Sequence, residues 1–80
     1  MDARNFGPNM RMVRTARGMT QGQLAVASDL TMGAICNYEH GTRSPRIASA
    51  VRVAEALGVT LDQLCGGEAI DWDALIGKEA

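Results

Sequence analysis

The stretch Met19–Pro45, MTQGQLAVASDLTMGAICNYEHGTRSP, decides the fold. Two short helices are predicted in it, because Thr20 and Thr31 are each suited to cap the free N–H groups of a helix that follows. Gln23 stands three residues after Thr20 and completes a capping-box pattern. Asp29 lies in a short gap between the helices and tolerates the left-handed conformation that a tight turn requires. The stretch therefore predicts two consecutive helices joined by a tight turn.

The two helices, expected over residues 21–28 and 32–40, must cross steeply. A steep crossing needs a small residue where the backbones approach, and Ala25 meets that need. Four apolar side chains are spaced to hold the helices together: Leu24, Leu30, Ile35 and Tyr38. The outward positions at the start of the second helix are left free to meet a partner.

Three further helices are predicted around this pair. The first begins after an N-cap at Asn9 and ends near Arg17. The fourth follows Pro45, and the fifth, capped by Thr60, covers residues 61–65. The fourth carries an apolar stripe expected to face the core: Ile47, Ala50, Val51, Ala54 and Leu57. No segment alternates with a period of two, so the predicted fold is all-α, with four or five short helices joined by tight turns.

Both ends of the chain are expected to lie outside the bundle, which covers residues 9–65. Residues 1–8 lack periodicity and are predicted to form a flexible N-terminal arm, with Phe6 packing back as an alternative. Residues 66–80 begin with a Gly-Gly joint and form an acidic C-terminal segment. A short sixth helix is expected there, over about residues 71–76.

The composition fits one small domain with an aliphatic core. The chain has 80 residues, 46% of them hydrophobic, and one each of Phe, Trp and Tyr. No apolar run approaches the roughly 18 residues of a membrane span, and the start lacks a secretory-signal pattern. We therefore expect a cytoplasmic protein. Cys36 and Cys65 lack the spacing of a zinc site and are expected to be reduced thiols, a disulfide being the alternative.

The net charge of −1 is unevenly divided along the chain. Residues 1–65 hold seven arginines and five acidic residues, a charge of +2. Residues 66–80 hold one lysine and four acidic residues, a charge of −3. Binding to nucleic acid depends on the local patch that meets the phosphates, so the acidic total does not exclude it.

Four segments resemble the Cro and phage-repressor (XRE-like) helix-turn-helix proteins. They are RTARGMTQGQLA (residues 14–25), Glu39-His40-Gly41, Pro45 and VAEALGVTLDQL (residues 53–64), in this order and spacing. The resemblance covers about residues 10–65. It implies a five-helix bundle whose second and third helices form the helix-turn-helix motif, and a transcriptional regulator, a repressor or controller, that binds double-stranded DNA sequence-specifically through the major groove.

The resemblance also assigns the residues that hold the DNA backbone. Gln21, at the start of the second helix, matches a position that holds a phosphate, where free N–H groups also favour an anion. Arg43 and Arg46 flank Pro45 and match a loop that contacts phosphates. His40, at the end of the third helix, is expected beside a phosphate as well.

At the positions expected to contact DNA bases, the chain differs from the family that it resembles. The expected base-contacting residues are Thr31, Met32, Gly33 and Asn37. Asn37 is the side chain on this face suited to a bidentate contact with adenine, and Met32 or Ala34 suits a thymine methyl group. A face this apolar is expected to read sequence weakly or through DNA shape.

Arg14 and Glu39 match an ion pair that joins the first and third helices, so Glu39 is expected to be structural rather than catalytic. The chain has a single histidine, no Gly-rich phosphate loop after a strand, and no nucleophile beside a base. We therefore expect no enzymatic activity, and no cofactor, metal or small-molecule ligand.

A homodimer is expected, because one short recognition helix reads only a few base pairs and two copies match a two-fold operator. The predicted interface consists of Leu61, Trp72, Leu75 and Ile76, with Trp72 as its anchor or, alternatively, folded back on its own bundle. The alternative function is a helix-turn-helix module that binds protein rather than DNA, as an adaptor or antirepressor. The acidic tail and the apolar third helix favour that alternative.

Overall fold

The computed structural model describes residues 5–75, and within this range the chain is helical, without a strand. Six helices follow one another: α1 Phe6–Ala16, α2 Gln21–Ser28, α3 Met32–His40, α4 Ile47–Leu57, α5 Leu61–Cys65 and α6 Trp72–Leu75. The predicted all-α fold, with five helices and a short sixth, is confirmed.

One apolar core joins the first five helices. Its largest fully buried side chains are Phe6, Met10, Val13, Leu24, Ile35, Val53, Leu57 and Leu64. Helix α2 packs against both α3 and α4, while α1 packs against α3 and α5. This arrangement places α2 and α3 side by side and leaves the outward surface of both to solvent.

Local side-chain bonds set the ends of α2 and α3. Thr20 Oγ1 accepts a hydrogen bond from the Gln23 N–H at 3.0 Å, and Gln23 Oε1 accepts one from the Thr20 N–H at 2.8 Å. Thr31 Oγ1 accepts from the Ala34 N–H at 3.0 Å. Asp29 adopts the left-handed conformation, with φ of 57°. The predicted caps and the predicted turn are therefore present.

The prediction of a flexible N-terminal arm over residues 1–8 is wrong for Phe6 to Pro8, which form the first turn of α1. Phe6 is fully buried, and its ring meets Tyr38 edge-on, with centroids 6.4 Å apart. Pro8 fits because N–H groups of a first turn have no partner within the helix. Asn9, predicted as the N-cap, lies inside the helix and donates to the Leu64 carbonyl at 2.9 Å.

The apolar stripe predicted for α4 is displaced around the helix. Val53 is buried with Ala50, Ala54 and Leu57, whereas Ile47 is 64% exposed and Val51 is 39% exposed. Both faces of this helix carry aliphatic residues, so the periodicity of the sequence does not decide which face is buried. The choice is made by packing, since α4 must meet α2, α1 and α5.

The C-terminal segment returns to the bundle through Leu75. This side chain is 8% exposed and belongs to the core, and Leu61 packs partly against the same core. Both were predicted at a dimer interface, but burial within the chain makes Leu75 unavailable to a partner. Trp72 remains 38% exposed. Ile76, the fourth predicted interface residue, lies outside the described residues.

The remaining expectations are about membrane spans, metal sites and a disulfide bond. Between residues 5 and 75 no helix is both long and apolar enough to cross a membrane. The same range contains no cluster of three side chains placed to hold a metal ion. Cys36 and Cys65 are not joined by a disulfide.

Gly7 lets α1 and α3 approach closely, because a Cβ at this position would overlap the carbonyl oxygen of Tyr38. We predict that Gly7→Ala lowers the free energy of unfolding by about 2 kcal/mol through overpacking, despite the better helix propensity of alanine. Urea unfolding followed by circular dichroism measures the change.

Gly33→Ala is the matched control for Gly7→Ala. Gly33 lies on the exposed surface of α3, where the nearest atom to an added Cβ is Thr31 Oγ1 at 3.9 Å. Alanine there should raise stability, by up to about 1 kcal/mol. Equal stability of Gly7→Ala and the wild type would contradict the close approach.

Candidate nucleic-acid interface

The carboxylate of Glu39, near the end of α3, is held by side chains from α1 and α2. Arg14 donates from Nε to Oε2 at 2.6 Å and from Nη2 to Oε1 at 3.2 Å. Gln21 Nε2 donates to Oε1 at 3.0 Å. Arg14 Nη1 also donates to the Met19 carbonyl, at 2.8 Å. The ion pair implied by the resemblance is present, and Gln21 extends it to the start of α2.

The electrostatics of this cluster favour an ionised Glu39. Only 4% of its side chain is exposed, and this burial alone would raise its pKa. Hydrogen bonds from Arg14 and Gln21, with the positive charges of Arg14 and Arg11, outweigh the burial and lower the pKa below its ordinary value of 4.5. The three helices are therefore joined by a carboxylate that stays charged at neutral pH.

The starts of α2 and α3 lie side by side. The Met32 sulfur would be 3.8 Å from a Cβ added at Gly22, so the first turns of α2 and α3 are in contact. Three of the predicted base-contacting residues, Thr31, Met32 and Gly33, are exposed here. This common surface is the candidate nucleic-acid interface.

Asn37, the fourth predicted base-contacting residue, lies further along α3 and is half-buried. Its Oδ1 accepts a hydrogen bond from Thr42 Oγ1 at 3.2 Å. The same hydroxyl lies 3.2 Å from the Asn37 carbonyl oxygen. A carbonyl oxygen has two lone pairs, so Oδ1 can accept a second bond, and Thr42 orients the amide for it.

The His40 ring is hydrogen-bonded to its own helix. Nδ1 lies 2.8 Å from the carbonyl oxygen of Cys36 and 3.4 Å from its sulfur. A carbonyl only accepts, so Nδ1 carries a proton and Nε2 is the nitrogen left to face outward. The phosphate contact predicted for His40 would have to be made through Nε2, and it stays a prediction.

The loop between α3 and α4 presents two arginines. Pro45 is buried and anchors the loop, while Arg43 and Arg46 are exposed on either side of it. Within residues 5–75 neither arginine takes part in an ion pair. Their charges are therefore available to a partner outside the chain.

Arg11 was missed by the sequence analysis. It lines a depression of about 130 Å³ together with Arg14, Gln21, Glu39 and His40. Arg14 is committed to Glu39, whereas Arg11 is exposed on the outer side of α1. Its spacing of three residues from Arg14 on a helix was the signal available, because residues at i and i+3 lie on one face.

The helix-turn-helix family matches residues 10–64 of the chain. The chain belongs to this family. Helices α2 and α3 are its motif, and the XRE-like resemblance seen in the sequence is confirmed.

Named relatives are regulators of transcription. The chain is 34% identical over 58 residues to the cryptic phage CTXphi transcriptional repressor RstR of Vibrio cholerae, which covers 72% of this chain and 52% of that protein. It is 32% identical over 63 residues to the HTH-type transcriptional activator BcrR of Enterococcus faecalis, covering 79% of this chain and 31% of that one. The chain thus spans about half or less of these relatives.

A solved structure resembles nearly the whole bundle. The restriction-modification controller protein C.AhdI from Aeromonas hydrophila superposes with a TM-score of 0.74 at 32% sequence identity, covering 79% of this chain and 96% of that one. Family, relatives and fold together support a DNA-binding transcription regulator.

Loss of the Glu39 charge should destabilise the fold. We predict that Glu39→Gln lowers the free energy of unfolding by about 2 kcal/mol at neutral pH, because hydrogen bonds to the charged group are weakened. Glu55→Gln, which changes an exposed glutamate on α4, is the matched control and should change it by less than about 0.5 kcal/mol.

The Glu39 contribution should depend on pH in one direction. The pKa is lower in the folded than in the unfolded chain, so the stabilisation is complete above about pH 4.5 and is lost as pH falls through the folded-state pKa. Urea unfolding at several pH values should show the wild type converging on Glu39→Gln in acid. A difference that grows in acid would contradict the charged state of Glu39.

Proposed function

We propose that this chain is a cytoplasmic transcription regulator that binds double-stranded DNA sequence-specifically, as a homodimer on a two-fold operator. The observation that carries the proposal is the common exposed surface at the starts of α2 and α3, held in place by Glu39. We assign the chain no enzymatic activity. Whether it represses or activates depends on where the operator lies relative to the promoter.

Phosphate binding is proposed for side chains around this surface. Gln21 Nε2 has two hydrogens and gives one to Glu39, so the second can be donated to a phosphate at the start of α2. Arg43 and Arg46 are exposed in the neighbouring loop, and Arg11 lies beside Gln21. These contacts hold the protein on the duplex without reading its sequence.

Base reading is proposed for the first turns of α3. Gly33 has no side chain to keep the helix away from the base edges, so the backbone can approach the floor of the groove. Met32 is 59% exposed and offers an apolar contact to a thymine methyl group. Asn37, oriented by Thr42, offers the bidentate contact to adenine. DNA shape supplies the remaining selectivity.

A protein-binding module remains the second candidate function. The observation that favours it is the acidic segment after α5, where Trp72 is 38% exposed beside Met12, itself 49% exposed. Such a surface would serve a protein partner. The exposed arginines of the α3–α4 loop favour DNA instead.

The first test compares two arginines by their effect on the salt dependence of binding. Arg43→Ala should weaken binding to all duplexes and reduce the slope of log affinity against log salt by about 1, because one phosphate contact is lost. Arg52→Ala is the matched control: this exposed arginine of α4 lies beside the end of α2, away from the α3–α4 loop. Fluorescence anisotropy at several salt concentrations measures both slopes.

A second measurement separates base reading from phosphate binding. Asn37→Ala should lower the preference for a selected site over random duplex by about 1–3 kcal/mol, with little change in the salt slope. The absence of binding to any duplex at low salt, with the wild-type protein folded, would overturn the proposed function and favour the protein-binding module.

A further inference from the structure

A groove of about 370 Å³ opens between α1 and the segment that follows α5, and we call it the Trp72 groove. Its apolar lining includes Met12, Ile70 and Trp72, and its polar lining includes Asn9, Gln63 and Glu68. Two of the apolar side chains are large and accessible, with Met12 49% exposed and Trp72 38% exposed. A partner that covered this groove would therefore bury apolar surface.

The two amide side chains of the groove serve the fold. Asn9 Nδ2 donates to the Leu64 carbonyl at 2.9 Å. Gln63 Oε1 accepts from the Thr60 N–H at 2.9 Å, and its Nε2 donates to the Ala69 carbonyl at 3.2 Å. These bonds hold the walls of the groove in place before a partner arrives, which lowers the ordering cost of binding. Recognition then depends mainly on apolar contact and on charge.

The charge around the groove is negative. Glu68 lines it, and Asp71 and Asp73 stand on either side of Trp72 in an exposed segment. Residues 66–75 contain these three acidic residues and no basic one. A cationic partner is therefore favoured, because complementary charges steer and align two surfaces.

The basic side chains of the first helix lie away from this groove. Arg11 lines the depression beside Gln21, and Arg17 donates to the Leu57 carbonyl. Successive residues of a helix point about 100° apart, so Met12 and Arg11 project in different directions. Between residues 5 and 75, the groove and that depression share no lining residue. The Trp72 groove is therefore separate from the candidate nucleic-acid interface.

We propose that the Trp72 groove binds a basic segment of another protein, in which an aliphatic side chain stands beside arginine or lysine. The aliphatic side chain packs on Met12 and Ile70, and the flexible methionine adapts to its shape. The cationic side chain lies over the Trp72 ring and faces Glu68, so cation–π attraction and opposite charge act together. A second copy is disfavoured there, because a two-fold contact brings the carboxylates of both copies together.

Selection from a library of random linear peptides displayed on phage, with the wild-type protein as target, tests the chemistry of the partner. Enriched peptides should carry arginine or lysine next to aliphatic residues. Enrichment of acidic or wholly polar peptides, or no enrichment, would overturn the proposal.

Fluorescence anisotropy with the most enriched peptide, labelled with fluorescein, locates its binding site. Trp72→Ala and Met12→Ser should each weaken binding about tenfold, because each removes apolar contact from the centre of the groove. Met32→Ser changes an exposed methionine of α3 and is the matched control, with the affinity expected within about twofold of the wild type. Circular dichroism checks that each variant is folded. Unchanged affinity in both groove variants would contradict the proposed site.

Glu68→Gln tests the contribution of charge. Glu68 accepts a hydrogen bond from Thr60 Oγ1 at 2.9 Å, and glutamine keeps an oxygen for that bond while removing the charge. Peptide binding should weaken about threefold and become less sensitive to salt. Glu55→Gln, on exposed α4 surface, is the control and should change neither quantity. Equal effects of the two substitutions would contradict the charge complementarity.

Binding to a duplex with a single selected half-site separates this inference from the proposed function. Met12→Ser should bind the duplex as the wild type does, whereas Met32→Ser should bind it more weakly. Peptide binding without DNA binding would overturn the proposed function and leave the groove standing, and DNA binding without peptide binding would do the reverse. If Trp72→Ala weakens self-association in sedimentation equilibrium but not peptide binding, the occupant is a second copy and the proposal fails.

Discussion

The buried carboxylate of Glu39 is the point at which the three helices of the site meet. It accepts hydrogen bonds from Arg14 of α1 and Gln21 of α2, and it belongs to α3 itself. A buried charge is costly unless it is fully paired, so the cluster stabilises only an arrangement in which both donors reach it. The crossing of α2 and α3, and with it the surface formed by their first turns, depends on this constraint.

The same cluster connects stability to binding chemistry. Gln21 donates one amide hydrogen to Glu39 and keeps a second, which is the one proposed to meet a phosphate. Arg11 lies at the edge of the same depression and helps to keep Glu39 charged. The residues that hold the helices together are therefore the neighbours of those proposed to hold a phosphate. A substitution in the Glu39 cluster should therefore also alter the position of the proposed phosphate-binding groups.

Much of the central fold could be predicted because its signals are local. Thr20 and Thr31 cap helices through bonds that span three residues, and Asp29 turns the chain through its own φ angle. The ends of α2 and α3 could therefore be predicted from short stretches of the sequence. The Arg14–Glu39 pair, by contrast, spans 25 residues and was expected only through resemblance to a family.

The errors lie where distant contacts decide the outcome. Phe6 joins α1 because its ring meets Tyr38, and Asn9 leaves its expected capping role to bond the end of α5. In α4 two aliphatic faces competed, and packing buried Val53 while leaving Ile47 exposed. The contacts of Phe6 and Asn9 leave no periodic or short-range mark in the sequence. Arg11 shares a helix face with Arg14 through a spacing of three residues, but only the fold places it beside Gln21.

Backbone amide shifts in an NMR titration with duplex DNA locate the surface that binds DNA, because every position except proline reports its own contact. We predict the largest changes at the start of α2, in the first turns of α3 and in the α3–α4 loop around Arg43. Changes concentrated instead in the segment from Leu61 to Leu75, or none at low salt, would contradict binding through α2 and α3.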